Sequence, residues 1–166
     1  LAQELGMAEQ VLFTGVQKNP FALLAKADVY ALTSDSEGFP NALIEAMAVG
    51  LPCVSVNCKT GPAEILQNDY QQCDAQDKVY HADYGILTPV FYGGKNLDAS
   101  MISQEEEIFA GELVELLLNQ KLMASYRNKA LYRANQFGVD AYVREIDRLI
   151  VQELEWPEVE NVGQQE

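Results

Sequence analysis

Short apolar runs alternate with amphipathic stretches through the first half of the chain. Runs rich in branched aliphatic residues and bounded by turn residues are typical of buried strands. We predict strands at Val11–Thr14, Val29–Thr33, Cys53–Val56 and Gly85–Val90. Between them the pattern predicts helices at Pro20–Ala27 and Asn41–Val49 and a helical turn at Ala63–Leu66. Buried strands that alternate with helices indicate an α/β fold, a Rossmann-like parallel sheet covered by helices.

Helical spacing governs the second half of the chain, where apolar residues recur every three or four positions. The predicted helices begin at Glu105 and continue at Lys121–Gln136 and Asp140–Leu154, and a helix end closed by Gly6 is predicted at Leu1–Met7. Polar sequence predicts loops at 68–84 and 91–103. We predict one domain over residues 1–154 and a C-terminal tail over 155–166. Because a doubly wound domain normally has five or six strands, its first strand–helix–strand part is expected upstream.

Charge and composition narrow the classes of partner. The 166 residues carry 25 acidic and 11 basic side chains, a formal net charge of −14. This excess argues against a nucleic-acid partner, because binding would bring net negative charge to phosphates. Three cysteines without a C-x-x-C pair fit a reducing compartment, and the single histidine, His81, is too little for a zinc site. The basic residues of the C-terminal helices are interpreted as an ordinary ion-paired surface: Lys121, Arg127, Lys129, Arg133, Arg144 and Arg148.

The candidate chemistry lies at the turn between the second predicted strand and the next helix. Glu37 precedes the helix start and Glu45 follows it, with Gly38 and Pro40 in the turn. Free amides at a helix start, together with the positive end of the helix dipole, suit a phosphate. Carboxylates accept hydrogen bonds from paired hydroxyls, as recognition of a ribose or sugar requires. Spacing alone leaves open that Glu37 is a capping group and Glu45 a solvated helix residue.

Residues 36–52 read S-E-G-F-P-N-A-L-I-E-A-M-A-V-G-L-P. This phrase resembles the donor-site signature of the retaining glycosyltransferases of family 4, the "glycosyl transferases group 1". The family's glutamate–seven residues–glutamate motif falls on Glu37 and Glu45. Further similar segments lie on both sides of it: Leu12–Gly15 with Asn19-Pro20, Gly61–Leu66, and Tyr84–Leu87. The resemblance covers the chain to about Leu154 and implies the C-terminal, donor-binding part of a GT-B enzyme, in which two Rossmann-like domains face each other across a cleft.

The resemblance also implies a role for each matching residue. Glu37 would be the catalytic residue, holding donor-sugar hydroxyls near the reacting carbon, and Glu45 would accept hydrogen bonds from the nucleotide ribose. Gly15 and Val16 would border the base. The other donor-binding positions surround the helix start: Gly38, Phe39, Pro40, Asn41, Ala42 and Leu43. The family needs neither metal nor cofactor, because the nucleotide sugar is a substrate.

The implied partners are a nucleotide-sugar donor and a saccharide or lipid-linked acceptor, the latter bound through an N-terminal domain expected upstream. The phrase at Asn57–Pro62 looks most like members that build surface polysaccharides or lipid-linked oligosaccharides, often from UDP-linked N-acetylhexosamines. The resemblance to such enzymes implies that the protein is cytoplasmic and that the full-length enzyme could associate with the inner face of the membrane.

One departure from the family pattern limits the prediction. The Arg and Lys that usually clamp the diphosphate have no match in this chain, so we expect the isolated chain to be inactive in transfer. Three alternatives stay open: a non-catalytic nucleotide-sugar-binding module of the same fold, an enzyme of sucrose or starch synthesis, and a flavodoxin-like or response-regulator-like domain. The last would need acidic residues at the ends of two strands.

Overall fold

A four-stranded sheet lies at the centre of the computed structural model, which describes residues 1–91, 98 and 100–154. The strands are β1 (Tyr30–Leu32), β2 (Cys53–Val56), β3 (Tyr80–His81) and β4 (Ile86–Thr88), in the order β1-β2-β4-β3. β1, β2 and β4 are parallel, with Val54 opposite both Ala31 and Ile86. The edge strand β3 is antiparallel to β4. The α/β fold with a largely parallel sheet is therefore as predicted.

The described residues form six helices around the sheet, and three of these begin at a residue whose side chain caps the first turn. Their bounds are α1 (Pro20–Leu24), α2 (Asn41–Ala48), α3 (Pro62–Leu66), α4 (Gln104–Leu118), α5 (Gln120–Asn135) and α6 (Val139–Leu154). The Asn19 side chain accepts a hydrogen bond from the Ala22 amide, with Pro20 in the first helical position. Such side-chain oxygens satisfy amides that have no partner inside the helix.

Two apolar clusters cover the two faces of the sheet, because successive strand residues point to opposite sides. Cys53 and Leu87 belong to the cluster formed with α2, α3 and the second half of α5. Val54 and Ile86 belong to the cluster formed with α4 and the first half of α5. α5 therefore contributes to both clusters and joins α2 to α4.

Two predicted elements near the N-terminus are wrong. Residues Val11–Thr14 form no strand, and Leu12 and Phe13 are 82% and 84% exposed. A strand needs a neighbour for its amides and carbonyls, and within the described residues β1 pairs only with β2. Residues Leu1–Met7 form turns, although Gly6 has the predicted left-handed backbone, with φ of +67°. So short a helix is marginal without packing.

Two further predictions need correction in extent. The helix from Pro20 ends at Leu24 instead of Ala27. The predicted loop 68–84 contains a 3-10 turn, Tyr70–Cys73, and the edge strand β3. The polar sequence of this segment did not predict the 3-10 turn or the strand, because each is stabilised by contacts with residues outside it. Most of the predicted loop 91–103 and all of the predicted tail lie outside the described residues.

The carboxyl ends of the parallel strands place two connecting segments at one edge of the sheet. Residues 33–40 follow β1 and lead into α2, and residues 57–61 follow β2 and lead into α3. In open α/β sheets this edge is the usual place for ligands. At the C-terminus, α6 is amphipathic, and its apolar residues, including Tyr142 and Leu149, are exposed. In the described part of the chain, no helix has the length and apolar character needed to cross a bilayer.

Candidate functional site

The candidate site starts at the helix entry of α2. Pro40 is buried in the N-cap position and supplies no side-chain hydrogen bond to the helix. Asn41 and Ala42 are exposed and occupy the first helical positions, where amides have no partner inside a helix. The Leu43 amide, in contrast, donates to the Pro40 carbonyl oxygen at 2.9 Å, and the Leu43 side chain is fully buried. The free amides expected at the helix start therefore include those of Asn41 and Ala42 but not that of Leu43.

The turn before α2 packs directly against the segment that follows β2. Gly61 has φ of +94°, and a Cβ built on it would lie 2.5 Å from Pro40 Cδ and 2.8 Å from the Gly38 carbonyl oxygen. The Thr60 hydroxyl donates a hydrogen bond to the Glu37 carbonyl oxygen. Residues 37–40, which we call the donor turn, are therefore held by direct contact with residues 60 and 61.

The two signature glutamates lie around one tyrosine. Glu37 is half-buried and Glu45 is exposed on α2. Burial raises the pKa of the Tyr30 phenol, and the charges of Cys53, Glu37 and Glu45 raise it further, in that order. Both carboxylates therefore lie within electrostatic range of the Tyr30 phenol.

A cleft of about 550 Å³ opens beside the donor turn and α2. From the predicted set it is lined by Phe39, Asn41 and Glu45, and Ile44 lies between them. Its opposite wall comes from the end of α5 and the start of α6: Gln136, Phe137, Ala141, Tyr142 and Glu145. Sequence analysis missed this wall. The helical spacing that predicted a helix at Asp140–Leu154 was the signal nearest to it, and that spacing indicated packing instead of a binding surface.

The other predicted site residues lie outside this cleft. Glu37, Gly38, Pro40 and Ala42 are adjacent to it in the donor turn or on α2. Gly15 and Val16 belong to the exposed N-terminal segment, Gly15 with φ of +59°, and line none of the cavities described here. Over the residues described, no three His, Cys, Asp or Glu side chains gather as a metal site would require.

Arg133 lies between the cleft wall and the end of α3. Its interpretation as an ordinary ion-paired surface residue is wrong, because its partners are mainly backbone carbonyl oxygens. Its guanidinium donates to the carbonyl oxygens of Glu64, Ile65 and Gln67 and to the side chain of Gln136. Burial lowers the pKa of Arg133, and nearby negative groups, including Asp83, partly oppose this. Other members of the predicted basic surface do form ion pairs, such as Arg148 with Glu145 and Arg127 with Asp28 at 3.7 Å.

A larger cavity of about 850 Å³ lies beside the segment that follows β2. Its walls include Asn57, Cys58, Lys59 and residues of the 3-10 turn. Burial raises the pKa of Cys58, and the backbone of Glu37 lies within hydrogen-bonding reach of its sulfur. Of these two cavities the smaller cleft is the candidate ligand site, because it is the one lined by Asn41 at the helix start and by Glu45.

Residues 1–78 match the family "Glycosyl transferases group 1". Among curated proteins, an "uncharacterized glycosyltransferase" of Methanocaldococcus jannaschii is 34% identical over 153 residues, which are 90% of this chain and 37% of that protein. The "N-acetylgalactosamine-N,N'-diacetylbacillosaminyl-diphospho-undecaprenol 4-alpha-N-acetylgalactosaminyltransferase" of Campylobacter jejuni is 31% identical over 82% of this chain and 30% of its own length.

Solved structures show the same fold. HepE of Anabaena, in complex with UDP, superposes with a TM-score of 0.69 at 23% identity, over 91% of this chain and 35% of HepE. A second HepE structure, with UDP and glucose, gives a TM-score of 0.63 at 25% identity, over 91% of this chain and 34% of that one. The chain thus spans about a third of the proteins it resembles. The chain has the GT-B fold of these glycosyltransferases, and its first 78 residues match the glycosyl transferases group 1 family.

Proposed function

We propose that this chain binds the nucleotide-sugar donor of a retaining glycosyltransferase, in the cleft between α2 and the junction of α5 with α6. The observation that carries the proposal is that Asn41 at the start of α2 and Glu45 one turn later line the same cleft. A helix start supplies amides and a positive dipole end for a diphosphate, and a carboxylate nearby accepts ribose hydroxyls. The cleft volume falls in the range of small-molecule sites.

In this proposal the site accelerates transfer by stabilising the negative charge that develops on the leaving group. As the bond between the sugar and the diphosphate breaks, negative charge grows on the leaving nucleoside diphosphate. Amides fixed at Asn41 and Ala42 face that charge without having to reorient, which is the arrangement that stabilises a transition state. Glu37 holds hydroxyls of the donor sugar near the reacting carbon, and Glu45 holds the ribose. Gly38 and Phe39 contact the sugar or diphosphate through their backbone, and Gly15 and Val16 border the base.

We further propose a UDP-linked sugar, with UDP-N-acetylhexosamine as the leading candidate, in the synthesis of cell-surface polysaccharide or lipid-linked oligosaccharide. The HepE structures contain UDP, and the Campylobacter relative is named for N-acetylgalactosamine transfer to a diphospho-undecaprenol saccharide. The acceptor would bind outside this chain. Transfer would need no metal, and the chain alone would not catalyse it, because the cations that clamp the diphosphate in the family have no match here.

The test is nucleotide binding to the full-length protein. UDP, GDP and ADP are titrated by calorimetry, and UDP is expected to bind most tightly. Glu45→Ala should weaken UDP binding by about 1–3 kcal/mol, or roughly 5-fold to 150-fold in Kd, because it removes charge-assisted hydrogen bonds. Glu115→Ala, at an exposed position on α4, is the matched control. Unchanged UDP affinity in Glu45→Ala would exclude the ribose role.

Product analysis separates the enzyme from a binding module of the same fold. Incubation of the full-length protein with a UDP-sugar and a lipid-linked or saccharide acceptor should yield UDP and a glycoside with the anomeric configuration of the donor. Tight UDP binding without any UDP release from the sugar would favour the non-catalytic module.

A further inference from the structure

We propose that Arg133 is a positioning residue for the donor turn: it holds α3 and the α5–α6 wall together, and so fixes Phe39 and the start of α2. The inference rests on the proposed function for its effect on nucleotide binding. Its effect on the turn itself can be measured without any ligand. Arg133 does not line the cleft, so it would act only through the residues it contacts.

The first link runs from Arg133 to the end of α3. Arg133 Nε donates to the Ile65 carbonyl oxygen at 2.9 Å, and Nη2 donates to the carbonyl oxygens of Glu64 at 2.8 Å and Gln67 at 3.4 Å. The last carbonyls of a helix have no partner within it. α3 has only five residues and little stability of its own, so the fork of Arg133 supplies its C-terminal cap from 68 residues away in sequence.

The second link runs along α3 to the donor turn. The segment that begins α3 includes Gly61, which lies so close to Pro40 and the Gly38 carbonyl that no Cβ fits between them. A shift of α3 therefore moves the surface on which the donor turn rests. Because cores are close-packed, such a shift is transmitted and is not absorbed locally.

The third link runs from Arg133 to the cleft wall. Its guanidinium lies 4.8 Å from the Phe137 ring centroid and 4.9 Å from that of Tyr84. The Phe137 ring in turn meets the Phe39 ring edge to face, with centroids 5.6 Å apart. Arg133 Nη1 also donates to Gln136 Oε1 at 2.6 Å. Both Gln136 and Phe137 line the cleft opposite Glu45.

These links close a ring of contacts around the donor turn. One path reaches Gly38 and Pro40 through α3, and the other reaches Phe39 through Phe137, and both start at one guanidinium. A planar group with several fixed donors can satisfy three carbonyls and two rings at once, which a lysine ammonium on a flexible stem cannot. The planar geometry of the Arg133 guanidinium, in addition to its positive charge, is therefore what makes these contacts.

The experiment compares Arg133→Met and Arg133→Lys with Arg127→Met in the full-length protein. Arg127 is an exposed arginine on the same helix, with one long ion pair to Asp28 and no contact with the cleft. Amide hydrogen exchange is measured on the unliganded proteins at a temperature where circular dichroism shows all of them folded. We expect roughly tenfold faster exchange of the amides of residues 43–46, the first of which is hydrogen-bonded to the Pro40 carbonyl oxygen, in both Arg133 variants, and parent exchange in peptides of α4.

Calorimetry with UDP supplies the second measurement. The Arg133 variants should bind UDP about tenfold more weakly, and Arg127→Met should bind it as the parent does. Parent-like exchange over residues 43–46 in Arg133→Lys would overturn the positioning role, and this variant carries the test if Arg133→Met does not fold. If the parent itself binds no UDP while the exchange prediction holds, the nucleotide assignment fails and the positioning role stands.

Discussion

Gly61 is the residue on which the support of the donor turn most directly depends. Its φ of +94° lies in the region that side chains rarely adopt, and a Cβ would fall 2.5 Å from Pro40 Cδ. The atoms it would meet belong to a proline ring and to the Gly38 carbonyl, and not to a flexible side chain. Either the backbone at Gly61 or the donor turn must therefore move when any side chain is introduced.

Gly61→Ala is expected to lower the free energy of unfolding by more than about 1 kcal/mol and to weaken UDP binding. The matched control is Gly111→Ala, on α4, where a Cβ would meet nothing within 4 Å. It should raise the free energy of unfolding by about 0.5–1 kcal/mol, since alanine is the better helix former. Urea denaturation of both variants measures the difference, and equal effects would contradict this account of Gly61.

At the scale of elements, α4 shows how a helix start can be encoded locally. The Ser103 hydroxyl accepts from the Glu106 amide at 3.2 Å, and the Glu106 carboxylate accepts from the Ser103 amide at 2.7 Å. Three consecutive glutamates in the first turn also face the positive end of the helix dipole. This capping box satisfies two amides by reciprocal hydrogen bonds.

Ser103→Ala should therefore destabilise the protein by about 1 kcal/mol, because one amide of the first turn loses its partner. Ser125→Ala, at an exposed position inside α5, should leave stability unchanged or raise it slightly, since alanine has the higher helix propensity. Thermal melts of the two variants give the comparison. A Ser103→Ala melt that coincides with the parent would show that the cap contributes nothing measurable.

At the scale of the whole molecule, Tyr126 ties the last helices to the sheet. It is buried on α5 in the cluster under α4, and its hydroxyl donates to the Ala82 carbonyl oxygen beside β3 at 3.2 Å. Burial, followed by the charges of Glu112 and Asp83, raises the pKa of Tyr126 to about 12, from an ordinary value of 10.0. The fold therefore holds this phenol in its neutral form.

This shift predicts a loss of stability in alkali. Above pH 10 the unfolded chain releases the Tyr126 proton while the folded chain retains it, so the unfolded state gains relative stability. The contribution is fully present below about pH 10 and is lost as pH rises towards about 12. Tyr126→Phe should show a shallower fall of the free energy of unfolding with pH across this window than the parent. Equal slopes in urea titrations at pH 9.5 to 11.5 would contradict it.

Glu112→Gln tests the charge contribution to the same shift. Glu112 is the largest contributor after burial, and its carboxylate also lies 3.2 Å from His81 Nε2. Removing the charge should lower the pKa of Tyr126, so the alkaline loss of stability should still begin near pH 10 but be smaller and end at a lower pH. Ultraviolet titration of tyrosinate absorbance follows the shift directly.

Local sequence accounts for the elements that carry the family signature. The buried run Cys53–Val56 and the helix from Asn41 appear where the pattern predicts them, because burial and helix entry there depend on residues close in sequence. The strand expected at Val11–Thr14 failed for the opposite reason. An apolar run shows that a segment can be buried, whereas a strand also needs a neighbouring strand for its hydrogen bonds. Among the strands described, β1 is hydrogen-bonded only to β2.

The sequence by itself determined the α/β class and the place of the turn before α2, since these depend on periodicity and on short-range chemistry. The roles of Glu37 and Glu45 stay a prediction from the family resemblance. Tertiary structure alone decided the opposite wall of the cleft and the change of Arg133 from an expected surface ion to a cap for α3. These depend on contacts between segments far apart in the chain, and no local pattern records which distant carbonyls or rings a side chain will meet.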